Sequence, residues 1–131
     1  MRHTLIIAVL AVGLLGCRLP PDREAMKPLQ EDGARFSYNE LMSRLHSQAN
    51  AAMDALFVDS WKDLDDVAQG IHQTARFLQK ATEQPENLKV NTISDLQREA
   101  GRLSEAARKS NADVATEALQ RITMQIRELR N

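Results

Sequence analysis

Few side chains in this 131-residue chain are suited to catalysis or to metal binding. It contains one cysteine, Cys17, and three histidines, two of which, His46 and His72, fall in the body of the chain. A thiolate is a nucleophile, and an imidazole can bind a metal or transfer a proton. A zinc site needs three or four protein ligands, and the sequence has no arrangement of nucleophile, base and orienting residue. We therefore expect neither a metal site nor an enzyme.

The residues around Cys17 give its thiol a specific role. A basic start, an apolar run over residues 5–15 and the small residue Gly16 are the three parts of a secretory signal. The run is too short to span a bilayer, which takes about twenty apolar residues. Leu14, Leu15, Gly16 and Cys17 resemble the lipobox of bacterial lipoproteins, although that motif prefers a smaller residue than Leu15. The resemblance implies cleavage after residue 16 and acylation of the cysteine.

Acylation also explains why an exported chain would carry a single cysteine, which has no partner for a disulfide. Two or three acyl chains, at roughly 0.8 kcal/mol per buried CH₂, hold a protein at a membrane surface. We expect a lipid anchor in the cell envelope. Residue 18 is arginine, whereas the family's signal for retention in the inner membrane is an aspartate at this position. In a host with two membranes, the resemblance therefore favours the periplasmic face of the outer membrane.

The remaining chain divides into a tether and one domain. Residues 17–35 contain Pro20, Pro21, Pro28 and Gly33 among charged residues, which predicts an extended tether. Residues 36–131 are long enough for a single domain with a modest core. The formal net charge of the chain is −1 and the two signs are interspersed, so we expect no nucleic-acid partner.

From Ser37 onward, apolar residues recur every three or four positions in four segments, which predicts four amphipathic helices. Each segment opens with a short polar residue and an acid three positions later, the pattern of a helix N-terminus: Ser37 and Glu40, Ser60 and Asp63, Thr92 and Asp95, Ser110 and Asp113. Two further pairs have opposite charge at four-residue spacing: Glu105 with Lys109, and Glu117 with Arg121. Short connections force neighbouring helices antiparallel. The predicted fold is all-α, an antiparallel up-down-up-down four-helix bundle over residues 36–131.

Several positions of these helices occur together in a known family: Phe36, Leu41, Met42, Trp61, Leu64, Ala68, Ile71, Ala75 and Arg130. Over residues 36–130 the chain resembles the cytochrome c-prime family, exported bacterial haem proteins that fold as four-helix bundles. The family attaches haem through Cys-x-x-Cys-His in its last helix. Residues 122–126 here read Ile-Thr-Met-Gln-Ile, so covalent haem attachment is excluded. The resemblance therefore implies the family's bundle without its cofactor.

Non-covalent binding of haem or of another small ligand is the competing hypothesis, and Met42, His46 and His72 are its candidate residues. Met42 lies near the apolar side of its helix, where methionine usually fills the core. Each histidine lies about 80° from the centre of its helix's apolar stripe, at the border with solvent. The many alanines in the stripes let helices approach closely, which predicts a filled bundle. We therefore expect no cofactor.

The favoured interpretation is a non-catalytic envelope module that binds a protein partner or another copy of itself. Phe77 is the candidate contact, because it lies about 130° from the centre of its helix's apolar stripe and would form an exposed aromatic anchor. The alternative is that Phe77 packs under the longer middle connection, as isolated surface apolar residues often do.

Overall fold

The structure, a computed structural model, describes residues 27–30 and 35–131 and contains four long helices. They are α1 (Tyr38–Phe57), α2 (Trp61–Leu78), α3 (Val90–Arg108) and α4 (Ala112–Arg130). Each helix packs against the next one in the chain, and α1 also packs against α4. The prediction of an all-α four-helix bundle is confirmed.

The predicted signal peptide, residues 1–16, and the acylation site at Cys17 lie outside the described residues, as do the lipobox residues Leu14, Leu15 and Gly16. In the part of the chain that is described, none of the helices has the length and apolar character needed to cross a bilayer.

The apolar stripes of the four helices meet in one core. Its largest fully buried apolar side chains are mostly leucine and isoleucine: Leu41, Leu45, Leu64, Ile71, Leu78, Ile93, Leu96, Leu103 and Ile122. Burying one such side chain contributes about 1.5–3 kcal/mol. At one end of the core the Tyr38 hydroxyl, at the start of α1, donates a hydrogen bond to the carbonyl of Leu129, near the end of α4 (3.2 Å). The start of the first helix therefore lies beside the end of the last.

The turn between α1 and α2 closes with a Schellman motif. The amide of Asp59 donates to the carbonyl of Leu56 (3.2 Å), and the amide of Ser60 donates to the carbonyl of Ala55 (2.9 Å). Asp59 adopts a left-handed backbone with φ 55°, a conformation that glycine usually supplies at this position.

The turn between α3 and α4 repeats this backbone. The amide of Ser110 donates to the carbonyl of Ala107 (3.1 Å), and the amide of Asn111 donates to the carbonyl of Ala106 (2.9 Å). Ser110 has φ 51° and takes the place of Asp59. The two turns can therefore be compared position by position: 57 with 108, 58 with 109, 59 with 110, and 60 with 111.

The helix starts agree only in part with the predicted caps. The first is confirmed as a full capping box, in which Ser37 Oγ accepts from the amide of Glu40 (3.2 Å) and the Glu40 carboxylate accepts from the amide of Ser37 (2.9 Å). The start of α2 at Ser60 is confirmed, but Ser60 Oγ donates to Asp63 Oδ2 (2.6 Å) and accepts no backbone amide. The cap of α2 is therefore a hydrogen bond between two side chains.

The predicted caps of α3 and α4 are wrong. α3 begins at Val90, two residues before Thr92, because Thr92 is turned into the bundle and is buried. α4 is capped by Asn111, whose side chain accepts from the amide of Val114 (3.2 Å). Ser110 cannot serve as this cap because its left-handed backbone closes the preceding turn.

Ion pairs join α3 to α4 across their polar faces. Glu99 is buried and pairs with Arg121 (3.4 Å) and Arg102 (3.6 Å). Glu117 pairs with the same two arginines, at 3.0 Å and 3.2 Å respectively. The predicted pair of Glu117 with Arg121 is therefore confirmed, and it forms part of a closed set of four charges. Closing the set compensates the buried Glu99 carboxylate, which would be costly if left alone.

Residues 27–30, assigned to the tether from the sequence, lie against α1 and α2. The Gln73 side chain accepts from the amide of Leu29 (2.8 Å) and donates to its carbonyl (3.0 Å). The Arg44 guanidinium donates to the carbonyl of Lys27, and the Leu29 side chain joins the core. We call residues 27–30 the docked segment.

Candidate functional site

Two of the three candidate ligand residues share one cleft. Met42 and His46 line an open cleft of about 1090 Å³ formed by the start of α1, the connection between α2 and α3, and the end of α4. His72 lines a separate groove of about 630 Å³ between α2 and α3. Met42 is largely buried, whereas both histidines are exposed. The structure therefore brings Met42 and His46 together and leaves His72 apart.

The cleft has an apolar floor and a charged rim. Tyr38 and Leu129 lie beside Met42 in the lining, and burial raises the pKa of the Tyr38 hydroxyl. Lys89 on the rim donates from Nζ to the carbonyl of Glu128 (2.7 Å), which ties the connection to the end of α4. Over residues 27–30 and 35–131, no three histidine, cysteine or acidic side chains are grouped to hold a metal ion. The lining suits a ligand with both apolar and polar parts.

Beside the groove that His72 lines, a hydrogen-bonded carboxylate joins α2 to α3. Asp65 accepts from the Ser104 hydroxyl, from Gln69 Nε2 (3.1 Å) and from Arg108 Nε (3.3 Å). Burial acts to raise the pKa of Asp65, but these hydrogen bonds and the Arg108 charge outweigh it and hold the pKa below its usual value. Ser104 and Arg108 belong to α3 and Asp65 to α2, so these hydrogen bonds link the two helices. The contacts of Asp65 with Ser104 and Arg108 were not predicted from the sequence, because these two partners lie about forty residues away.

Phe77 is only partly exposed. Its ring packs edge-on against Phe36, with the centroids 6.1 Å apart and the planes at 89°. This is a favourable aromatic geometry. The ring that the sequence suggested as an exposed anchor is therefore partly covered, and its aromatic partner lies just before α1.

The most exposed large apolar side chains next to one another lie at the turn between α1 and α2. Phe57 is 84% exposed, Val58 49% and Met53 43%. Met53 and Phe57 are four residues apart and share one face of α1. Scattered single apolar residues are ordinary on a surface, whereas these three are adjacent, the arrangement from which larger interaction patches are built. We call Met53, Phe57 and Val58 the apolar turn.

The second turn shows that its backbone does not require apolar residues. Arg108 and Lys109 occupy the positions of Phe57 and Val58, and they pair with Asp65 (3.3 Å) and Glu105 (2.8 Å). The predicted pair of Glu105 with Lys109 is thereby confirmed. Cations near a helix C-terminus are favoured by the helix dipole, yet α1 has none in its last turn. The exposed phenyl ring is therefore a departure from what folding alone favours.

The apolar turn was not predicted from the sequence, because Phe57 follows Leu56, a residue of the apolar stripe, and is the last residue of α1. A usable signal was nevertheless present. Aligning the two short connections sets Phe-Val-Asp-Ser (57–60) against Arg-Lys-Ser-Asn (108–111), and the contrast in polarity is then evident.

Comparison with known proteins yields no relative: no family model, no curated protein and no solved structure matches the chain.

Proposed function

We propose that this protein is a lipid-anchored, non-catalytic module of the bacterial cell envelope that binds another protein through the apolar turn. The observation that carries the proposal is Phe57, exposed at a position where the equivalent turn of the same chain uses a paired arginine. Aromatic side chains dominate binding energy at protein interfaces because they bury a large area at little cost in conformational entropy. The anchor rests on the sequence resemblance at Cys17.

Three residues are too few for a whole interface, which takes about 800 Å² from each partner. The apolar turn is therefore the centre of a contact. Polar residues around the two short turns, α1 to α2 and α3 to α4, would form its rim. Its rigid backbone favours binding, because the Schellman motif fixes the phenyl ring's attachment point before any partner arrives.

A photo-crosslinking amino acid placed at position 57 in the full-length protein, expressed in a bacterial host with its envelope intact, tests the proposal. The matched control is position 124, since Met124 is also exposed (65%) but lies on α4. We expect one defined protein adduct from position 57 and none from position 124. Equal adducts from both positions, or no adduct from either, would contradict the proposal. Fractionating the same cells tests the anchor, because Cys17→Ala should leave the membrane fraction.

The double variant Phe57→Arg/Val58→Lys supplies the second turn's residues to the first. The new cations should raise stability by about 0.3–1 kcal/mol through the helix dipole, measured by urea unfolding. With the crosslinker moved to position 53, the adduct should disappear. If the variant stays folded and still forms the adduct, Phe57 and Val58 are not part of the contact.

A second candidate function is small-ligand binding in the cleft, favoured by the joint presence of Met42 and His46 in its lining. Both residues lie on the same side of α1, four positions apart, where His46 would supply a nitrogen ligand and Met42 apolar contact to a bound haem. Titrating the mature chain with haemin tests this function. A saturable Soret band that His46→Ala abolishes would support it, and an unchanged spectrum would reject it.

A further inference from the structure

We propose that the apolar turn docks into an apolar pocket bordered by lysine or arginine side chains of a protein partner. This inference rests on the proposed function and adds the chemistry of the partner. It is carried by the carboxylates of Asp54 and Asp59, close to Phe57 in the chain, which form no ion pair among residues 27–30 and 35–131.

The first step is that Asp54 differs from its equivalent Glu105 in the residue that follows four positions later. In the second turn, Glu105 pairs with Lys109 four residues later (2.8 Å). The equivalent positions in the first turn are Asp54 and Val58, so the carboxylate is retained while the cation is replaced by an apolar side chain. Asp59, next along the chain, replaces Ser110 and adds a second carboxylate. Across residues 27–30 and 35–131, neither Asp54 nor Asp59 forms an ion pair.

The second step concerns the cations at this end of the bundle. Lys62 pairs with Asp66 (3.0 Å), Arg108 with Asp65 (3.3 Å), and Lys109 with Glu105. The hydrogen bond from Lys62 to Asp66 raises the pKa of Lys62. Since each of these cations already has a carboxylate, none of them neutralises the charge beside Phe57. The apolar turn is therefore set in an uncompensated negative surface.

The negative charge of this surface favours some binding partners over others. A second copy docking turn to turn would bring like charges together, and an anionic lipid surface would meet the same repulsion. A protein pocket with a basic border would instead pair with Asp54 and Asp59 as Lys109 pairs with Glu105. Such complementarity speeds association and excludes partners of the wrong charge.

The probes for the mature chain are two synthetic amphipathic helical peptides of equal length. One consists of leucine and lysine, and the other consists of leucine and glutamate. Fluorescence anisotropy should show binding of the leucine–lysine peptide alone, weakening as salt is raised. Phe57→Ala should weaken binding about tenfold, the loss of roughly 1.4 kcal/mol. Asp54→Asn/Asp59→Asn should weaken it several-fold and reduce its salt dependence.

The control for net charge is Asp113→Asn, a carboxylate in the first turn of α4, which should leave binding unchanged. It is compared with the single variants Asp54→Asn and Asp59→Asn, so that one charge is removed in each case. Equal binding of both peptides would overturn the proposal that the partner's pocket has a basic border. Equal losses in the Asp113 variant and in the Asp54 and Asp59 variants would do the same. The crosslink at position 57 would then still decide the proposed function by itself. Conversely, discrimination between the peptides without a crosslinked protein would support the surface chemistry and reject the proposed function.

Discussion

The two short turns of this bundle share a backbone and differ in nearly everything attached to it. In the second turn, arginine and lysine pair with neighbouring carboxylates and complement the end of α3. In the first, phenylalanine and valine face solvent beside carboxylates that pair with no cation in the part of the chain that the structure describes. Because the hydrogen bonds of the backbone are the same, the second turn serves as an internal reference for the first. Residues that the reference shows to be unnecessary for folding are the best candidates for binding.

The largest effect on stability is expected at Asp65, which links the start of α2 to the second turn. Asp65→Ala leaves the buried Ser104 hydroxyl and Arg108 without their acceptor, so the free energy of unfolding should fall by about 1–3 kcal/mol. Urea unfolding would measure the loss. Asp63→Ala is the control, since the hydrogen bond of Asp63 to Ser60 lies within one helix start, and an equal loss there would refute the role of the link.

The same carboxylate gives an expected pH dependence. The pKa of Asp65 is lower in the folded protein than in the unfolded chain, so the unfolded state binds more protons as the pH falls below about 4. The stabilisation is present at neutral pH and is lost as the pH falls through the folded pKa. The Asp65→Ala variant should therefore lose less stability than the wild type between neutral pH and this acid range. Parallel acid curves would contradict this assignment.

A smaller effect separates the caps that follow the two turns. Asn111 accepts a backbone amide, whereas Ser60 accepts none. Asn111→Ala should cost about 1 kcal/mol, and Ser60→Ala should cost clearly less. Thermal and urea unfolding of the two variants side by side would measure the difference, and equal losses would show that the two caps do the same work.

The smallest effect concerns the left-handed residue of each turn. Asp59 and Ser110 have positive φ, a conformation that aspartate tolerates better than serine. Ser110→Gly should therefore raise stability by about 0.5 kcal/mol, while Asp59→Gly should change it little. A larger gain at Asp59 would indicate that the first turn, and not the second, carries the backbone strain.

The helices were predictable because apolar spacing is local information, and the stripes that packed into the core are those read from the sequence. The cap of α4 was placed one residue early because Ser110 and Asn111 are both good cap residues, and only the geometry of the turn decides between them. Asp65 and Leu29 find their partners about forty residues away, which periodicity does not report. Phe57 was not predicted as a contact because the last residue of this helix lies outside its apolar stripe. The likeness to cytochrome c-prime stays a prediction.

The docked segment limits how far the bundle can travel from its point of attachment. If Cys17 carries the proposed lipid, the chain from there to Lys27 reaches at most about 35 Å, at 3.3–3.6 Å per residue. If the docked segment were released from Gln73, Arg44 and the core, the connection would lengthen to residue 35 and reach about 60 Å. These contacts therefore separate two working distances from the membrane, and they lie on the pair of helices whose connecting turn presents Phe57.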